Sequence, residues 1–587
     1  MMARSLRLLA IGALVSYLAG CSSDSSNKAG RDAGPDASRT TTDASPADAG
    51  AASSSKPTPE GDASDSGPRR FEVKLMNGPV NGVQDGKVRA FYGIPYAAPP
   101  TGSNRFKPPQ PVVPWSMPLD ASKPRKVCPQ ISVGSTAVNA MSDEDCLVLN
   151  VWTPDPPSSA PLPVMVWIHG GAFAFGSGGE TYYDAGSLVT EGRVVVVGIN
   201  YRLGALGFLP LPALTAEDKS HPTSGNYGFE DQQAALRWVK DNIGEFGGDP
   251  KNVTIFGESA GGYSVCAHLV APGSAGLFHK AISESGLCSS LIDATLDAQY
   301  AHGEAFAQAM GCTDPAKVLD CLRGKDANDY LTASTGSMLP GGLFFQGPRS
   351  AGESDGGVEH LSSAWSPVID GVDIPVGIAA VGPDFAKVPL LLGTNLNEGT
   401  VFTNALLFGG MPVSDETEYE EAVTRTFRSA APDVLAQYPA KSFPTPNDAL
   451  SELTVDGFFA CPARRQARSA SGAGVDVYLY GFQHVPEKPL IPDLGAFHSS
   501  ELAYVFGGNY PLDPAQPDEQ SLGTQIRAYW TRFAHAGDPN GGSDPSWPKY
   551  IAKDDQSMKL DLPTSAAETG YKKTKCDFWD ALKLPSP

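Results

Sequence analysis

The chain has 587 residues, of which 41% are apolar and 9% aromatic, enough for a large buried core. Its length accommodates either several domains or one large α/β body. A formal charge of −21 without a strongly basic stretch argues against nucleic acid as a partner and for an acidic, solvated surface.

Residues 1–20 carry Arg4 and Arg7, followed by an apolar run from Leu8 to Leu18. The run is short for a bilayer span, and its basic flank fits an export signal. It ends in Leu18-Ala19-Gly20-Cys21, which resembles a bacterial lipobox. That resemblance implies lipidation at Cys21 and a membrane held through a lipid anchor; an ordinary signal peptide and release is the alternative. Ser22 in place of an aspartate after Cys21 points, by the habit of such lipoproteins, to the outer membrane of the cell envelope. From Ser22 to Arg70 there is no Val, Ile, Leu, Met, Phe, Tyr or Trp, so residues 21–70 read as a disordered tether. Its root-mean-square reach would be roughly 40 Å. One globular domain is expected over residues 71–587.

Without Cys21, eight cysteines remain, an even number in an exported chain, which points to disulfides. Their pairing is not dictated by sequence. Proximity favours Cys312 with Cys321 and a loop closed by Cys128 and Cys146; Cys266 with Cys288 and Cys461 with Cys576 would complete the set. No C-x2-C or H-E-x-x-H spacing occurs, so no metal is expected.

The apolar runs "PVMVWI" (163–168) and "RVVVVGI" (193–199) read as strands covered on both faces. "IHGGAFAFGSG" opens where the first of them ends. Its glycines leave backbone N–H groups unobstructed, as oxyanion stabilisation requires, although a plain βα turn would look the same. In "EDQQAALRWVKDNIGEFGG", residues Ala234, Ala235, Trp238, Val239 and Ile243 recur at helical spacing until Gly247-Gly248. A short strand, "NVTIFG" (252–257), then leads into Gly257-Glu258-Ser259-Ala260-Gly261 and a helix ending before Pro272. Strand, tight turn and helix form the context in which G-x-S-x-G exposes a nucleophilic serine. Alternating strands and helices give a mainly parallel α/β sheet.

Ten colinear stretches resemble the type-B carboxylesterase and cholinesterase branch of the α/β-hydrolases. They include "EDCLVLNVWTP", "WIHGGAF", "NYRLGALGF", "GNYGFEDQQAALRWVKDNIGEFGGDPKNVTIFGESAGG", "GLFHKAISESG", "GTNLNEGTVF" and "HSSELAYVFG". The resemblance implies an α/β-hydrolase fold and a serine ester hydrolase needing no cofactor. It implies Ser259 as nucleophile, Glu398 as acid and His498 as base. Oxyanion N–H groups would come from Gly171, Ala172 and Ala260. It also implies the bridges Cys128–Cys146, Cys312–Cys321 and Cys461–Cys576, and structural ion pairs Arg105–Glu144 and Arg202–Asp231. Cys266–Cys288 rests on the cysteine count alone.

Among the alternatives, His169 beside the oxyanion loop is the only rival base, and His268 reads as packing. Glu258 is expected to point away from the reacting groups, Glu501 to line the pocket, and Asp370 to close a turn. Phe173, Phe175, Val401 and Phe402 are candidate pocket walls, with core packing the equal alternative. No aromatic residue lies between Cys128 and Cys146, which disfavours a cationic choline ester. The short loop favours small to medium soluble esters, and the Gly-Gly-Ala-Phe form resembles enzymes that tolerate tertiary-alcohol esters. A catalytically silent surface binding or adhesion protein on the same scaffold is the other class considered. The presence of Ser259, Glu398 and His498 weighs against it.

Overall fold

The computed structural model describes residues 69–582, apart from 133–136, 287, 289–293, 335–364, 379–384, 405–411, 488, 490–491 and 509–516. The leader, Cys21, the tether and most of the 341–365 segment, expected as an entrance loop, therefore lie outside the described residues.

Among the described residues thirteen strands build one sheet. In chain order they are β1 (Arg70–Leu75), β2 (Gly78–Asp85), β3 (Val88–Pro95), β4 (Leu119–Asp120), β5 (Val148–Pro154), β6 (Leu162–Ile168) and β7 (Val195–Ile199). Then follow β8 (Gly248–Glu258), β9 (Lys280–Glu284), β10 (Leu390–Asn395), β11 (Val477–Phe482), β12 (Gln556–Leu560) and β13 (Ala566–Thr569). The spatial order is β1-β2-β3-β5-β7-β6-β8-β9-β10-β11-β12-β13, with β4 beside β2. Strands β7 through β12 pair in parallel, and the antiparallel pairs are confined to the two ends. β6 and β7 are buried at every position, which is why they read as unbroken apolar runs rather than alternating ones.

The helices α1 (Tyr227–Asn242) and α2 (Ala260–Val270) follow the two segments expected of them. α1 ends in a 3-10 turn and then Gly247 at φ 82°, a left-handed position that glycine accepts without strain. Further along are α3 (Cys461–Gly472), α4 (Pro517–Ala536) and α5 (Lys573–Ala581). All four cysteine pairs are bonded: Cys128–Cys146, Cys266–Cys288, Cys312–Cys321 and Cys461–Cys576, the last tying α3 to α5. Arg202 grips Asp231 with two bonds of 2.7 Å, and Arg105 grips Glu144 at 2.9 and 2.6 Å. Both are two-pronged pairs of the kind a planar guanidinium makes best. Among the described residues no helix is long and apolar enough to cross a membrane.

Candidate active site

β8 runs directly into Ser259, whose backbone stands at φ 56°, ψ −122°, before α2 begins at Ala260. That conformation is strained for a residue with a side chain, and it lifts Ser259 out of the strand's pleat at the end of the sheet. The Ser259 N–H donates to the Glu284 carbonyl at 2.9 Å, and Tyr263 N–H donates to the Ser259 carbonyl at 2.8 Å, which lock the turn. A side chain on Gly261 would meet the Ile168 carbonyl oxygen at 1.9 Å, so the strand-to-helix approach admits only glycine.

The loops that follow β10 and precede Leu502 are stitched together. Asn397 N–H donates to Ala496 O, Ala496 N–H to Asn397 Oδ1, and Asn395 Nδ2 to Phe497 O, at 2.8 to 2.9 Å. This brings Glu398 Oε2 to 2.6 Å from His498 Nδ1. The other Glu398 oxygen accepts from Asn395 N–H and from Ser285 Oγ, each at 2.6 Å. Glu398 is fully buried, and three donors hold it in one orientation. Ser285 is a positioning group that motif reading did not single out. Its signal is the parallel pairing of Glu284 with Gly393, which sets the end of β9 beside the loop after β10.

Glu258 corrects the expectation that it points away. Its Oε1 lies 3.2 Å from His498 Nε2 and accepts from Ser499 Oγ at 2.7 Å. The imidazole is thus held between two carboxylates, one on each nitrogen. Among the described residues Ser259 Oγ has no hydrogen-bond partner, but Glu258 next to it in the chain touches the imidazole. Burial alone would depress the His498 pKa; Glu258, Glu398 and the Glu398 hydrogen bond outweigh it and leave the group raised. Burial pushes Glu258 upward, countered by His498 and Ser499. Glu284 is pushed up to about 8 by burial against one hydrogen bond from Trp530. Glu501, expected in the pocket lining, is instead buried behind the site, bonded to Asn395, with its carboxyl raised by burial and by Glu258, Glu398 and Glu284.

The oxyanion loop stands in an unusual backbone. Gly171, Ala172 and Phe173 all have positive φ, at 103°, 52° and 57°. Among the described residues the N–H groups of Gly171, Ala172 and Ala260 have no acceptor in the protein. Gly170 lies against Ser259: a side chain there would come within 3.1 Å of its Cβ. A loop of free N–H groups beside a strained serine can stabilise a negative oxygen.

The rival base His169 is fully buried, stacked 4.4 Å from the Tyr201 ring, with Nδ1 on its neighbour's carbonyl. Burial pushes it down to about 4, so it stays neutral and away from the chemistry. His268 bonds to Ser274 and Gln232 as a packing residue. Of the four candidate pocket walls, Phe173 packs against Tyr201, Phe208 and Tyr263 in the core. Val401 packs with Leu494 and Phe497, and Phe175 lies against Ala174 and Leu331. The Phe402 ring lies 5.0 Å from His498, and Phe459, not anticipated, flanks the same imidazole at 5.2 Å.

A family model described as the carboxylesterase family matches residues 69–579. Carboxylesterase 1D of Rattus norvegicus is 36% identical over 538 residues, covering 84% of this chain and 89% of the relative. Para-nitrobenzyl esterase of Bacillus subtilis is 36% identical over 505 residues, covering 83% and 94%. Among solved structures, a PNB esterase and a thermophilic PNB esterase superpose with TM-scores of 0.72 and 0.73, each 34% identical and covering 86% of this chain and 99% of theirs.

Proposed function

The chain belongs to the carboxylesterase family and is a serine carboxylic-ester hydrolase, and from that premise we propose how its own residues carry the reaction. Ser259 Oγ attacks the ester carbonyl while His498 Nε2 takes its proton. Glu398 keeps the proton on Nδ1 and stabilises the imidazolium that forms. The oxyanion settles against the N–H groups of Gly171, Ala172 and Ala260, each worth roughly 3 kcal/mol in the transition state. His498 returns the proton to the departing alcohol, and water then cleaves the acyl-serine by the same route. The 2.6 Å Glu398–His498 bond beside the strained Ser259 carries the reading.

Covalent capture of a fluorophosphonate tests it. The wild type is expected to label and turn over p-nitrophenyl acetate, and Ser259→Ala to do neither, with a loss of about 10⁴-fold or more. Turnover by Ser259→Ala close to wild type would overturn the assignment.

Small to medium soluble esters, including benzyl and aryl esters of the kind a para-nitrobenzyl esterase is named for, are the proposed substrates. The short Cys128–Cys146 loop supports this, and a length series of p-nitrophenyl esters that favours the longest chains would refute it. We extend the reading to tertiary-alcohol esters on the Gly-Gly-Ala-Phe sequence, to be tested on tert-butyl acetate. We also propose that Cys21 is lipidated and tethers the enzyme to the cell envelope. Cys21→Ala is expected to move the activity from the membrane fraction to the soluble one; an unchanged partition refutes it.

A further inference from the structure

His221, Glu230 and Asp373 meet at one side of α1, apart from the serine site. His221 Nε2 is 3.2 Å from Glu230 Oε1 and 3.2 Å from Asp373 Oδ1. One atom of each residue lies within 4.8 Å of the others. We propose that these three side chains bind one divalent transition-metal cation, with zinc as the working ion, as a structural staple.

One proton on the imidazole does not serve both acids. Nε2 can carry a single N–H, and only Asp373 stands where that N–H could form a hydrogen bond. Glu230 is 5% exposed, and among the described residues nothing donates to either of its oxygens, nor does any Lys or Arg pair with it. Its Oε2 and Asp373 Oδ2 are both cut off from solvent without a partner. A buried carboxylate in that state is costly, and a cation accepting one atom from each residue removes the cost. In a tetrahedral site with bonds near 2.0 Å, neighbouring ligand atoms are about 3.3 Å apart. The two 3.2 Å separations match that edge and are long for a charge-assisted hydrogen bond. An imidazole nitrogen among the ligands selects zinc over calcium, which prefers oxygen alone.

The surroundings are already built. Asp370 accepts from the backbone N–H of Val372, Asp373 and Ile374, all at 2.9 to 3.0 Å, and so fixes the turn that presents Asp373. Its second oxygen takes Thr223 and Asn226, joining that turn to the segment carrying His221 and to the start of α1. The His221 side chain is 24% exposed, which opens one side of the site for ion entry and a bound water. His221 and Glu230 lie close in sequence and Asp373 far beyond them, so no compact spacing motif announces the set.

The test uses the exported full chain, stripped with chelator and titrated with zinc, then with cobalt for its visible ligand-field bands. Wild type is expected to bind one zinc, to rise in Tm with zinc but not calcium, and to give a cobalt spectrum. Glu230→Gln and Asp373→Asn should each weaken zinc about tenfold or more while keeping esterase turnover. Glu230→Leu, which fills the space with carbon, should abolish the site. Failure of the wild type to bind zinc overturns the proposal whether or not the variants fold. So does binding that all three variants leave intact.

Discussion

Three described histidines each lie beside two carboxylates, His484 with Glu519 and Asp561 among them, and the contrast between His498 and His221 separates a catalytic group from a proposed ligand. At His498, Glu398 faces Nδ1 at 2.6 Å and Glu258 faces Nε2 at 3.2 Å. Each nitrogen has its own acid, so both carboxylates bear on how readily the ring holds its proton. At His221 both carboxylates converge on Nε2, and no proton position serves both. The two acids at His498 raise its proton affinity, whereas the two at His221 compete for a single N–H.

The sharpest way to break this comparison is to remove the charge of one acid at each histidine. Glu398→Gln keeps the shape but no longer accepts the Nδ1 proton through a charged oxygen. It is expected to lower kcat on p-nitrophenyl acetate by about 10³ to 10⁴-fold. Asp373→Asn should leave kcat within about twofold, its effect read instead as a lost zinc-dependent rise in Tm. Comparable losses of kcat in both variants would erase the distinction.

A smaller effect sits behind His498, where the buried carboxyls of Glu258, Glu284 and Glu501 crowd together. Glu284 is raised to about 8, so the folded protein keeps its proton at neutral pH while the unfolded chain, near 4.5, has lost it. Stability from this group therefore falls as pH rises between those values, by on the order of a few kcal/mol in total. Glu284→Gln can still accept from Trp530 and carries no charge. In urea unfolding it should be more stable than wild type at pH 8 and nearly equal at pH 5. A difference that is the same at both pH values would show that folding does not raise the Glu284 pKa.

The sequence was most legible where local rules and colinearity agree. Unbroken apolar runs located β6, β7 and the core of β8, and Gly257 and Gly261 bracketed the turn at Ser259. Side-chain direction was not legible in the same way. Glu258 turns toward His498 because the strained backbone of Ser259 rotates the end of β8, and no pattern in Gly-Glu-Ser-Ala-Gly encodes that rotation. The start of α1 was only partly legible: Asp231 pairs with Arg202 as expected, but Glu230, Gln232 and Gln233 look solvated and are buried. Asp231, Gln232 and Gln233 meet Arg202, Ser264 and Ser274, and Glu230 meets His221, partners remote in sequence or brought there by the sheet. Phe173 was undecidable because an aromatic beside an oxyanion loop can face substrate or core, and only tertiary packing selects the core.

The finest probe of the comparison is the pH profile of kcat/KM. His498 must be unprotonated to act as a base, so the acid limb follows its pKa, which Glu258 and Glu398 hold above 6.5 despite burial. Glu258→Gln takes away one of the two negative charges while leaving an oxygen for Ser499. The imidazolium then loses stabilisation and the pKa falls, so the limb should move to lower pH. Activity on the alkaline plateau of the profile should change much less than activity on the acid limb. An acid limb that stays in place would mean that Glu258 is protonated in the free enzyme, and that Glu398 alone sets the basicity of His498.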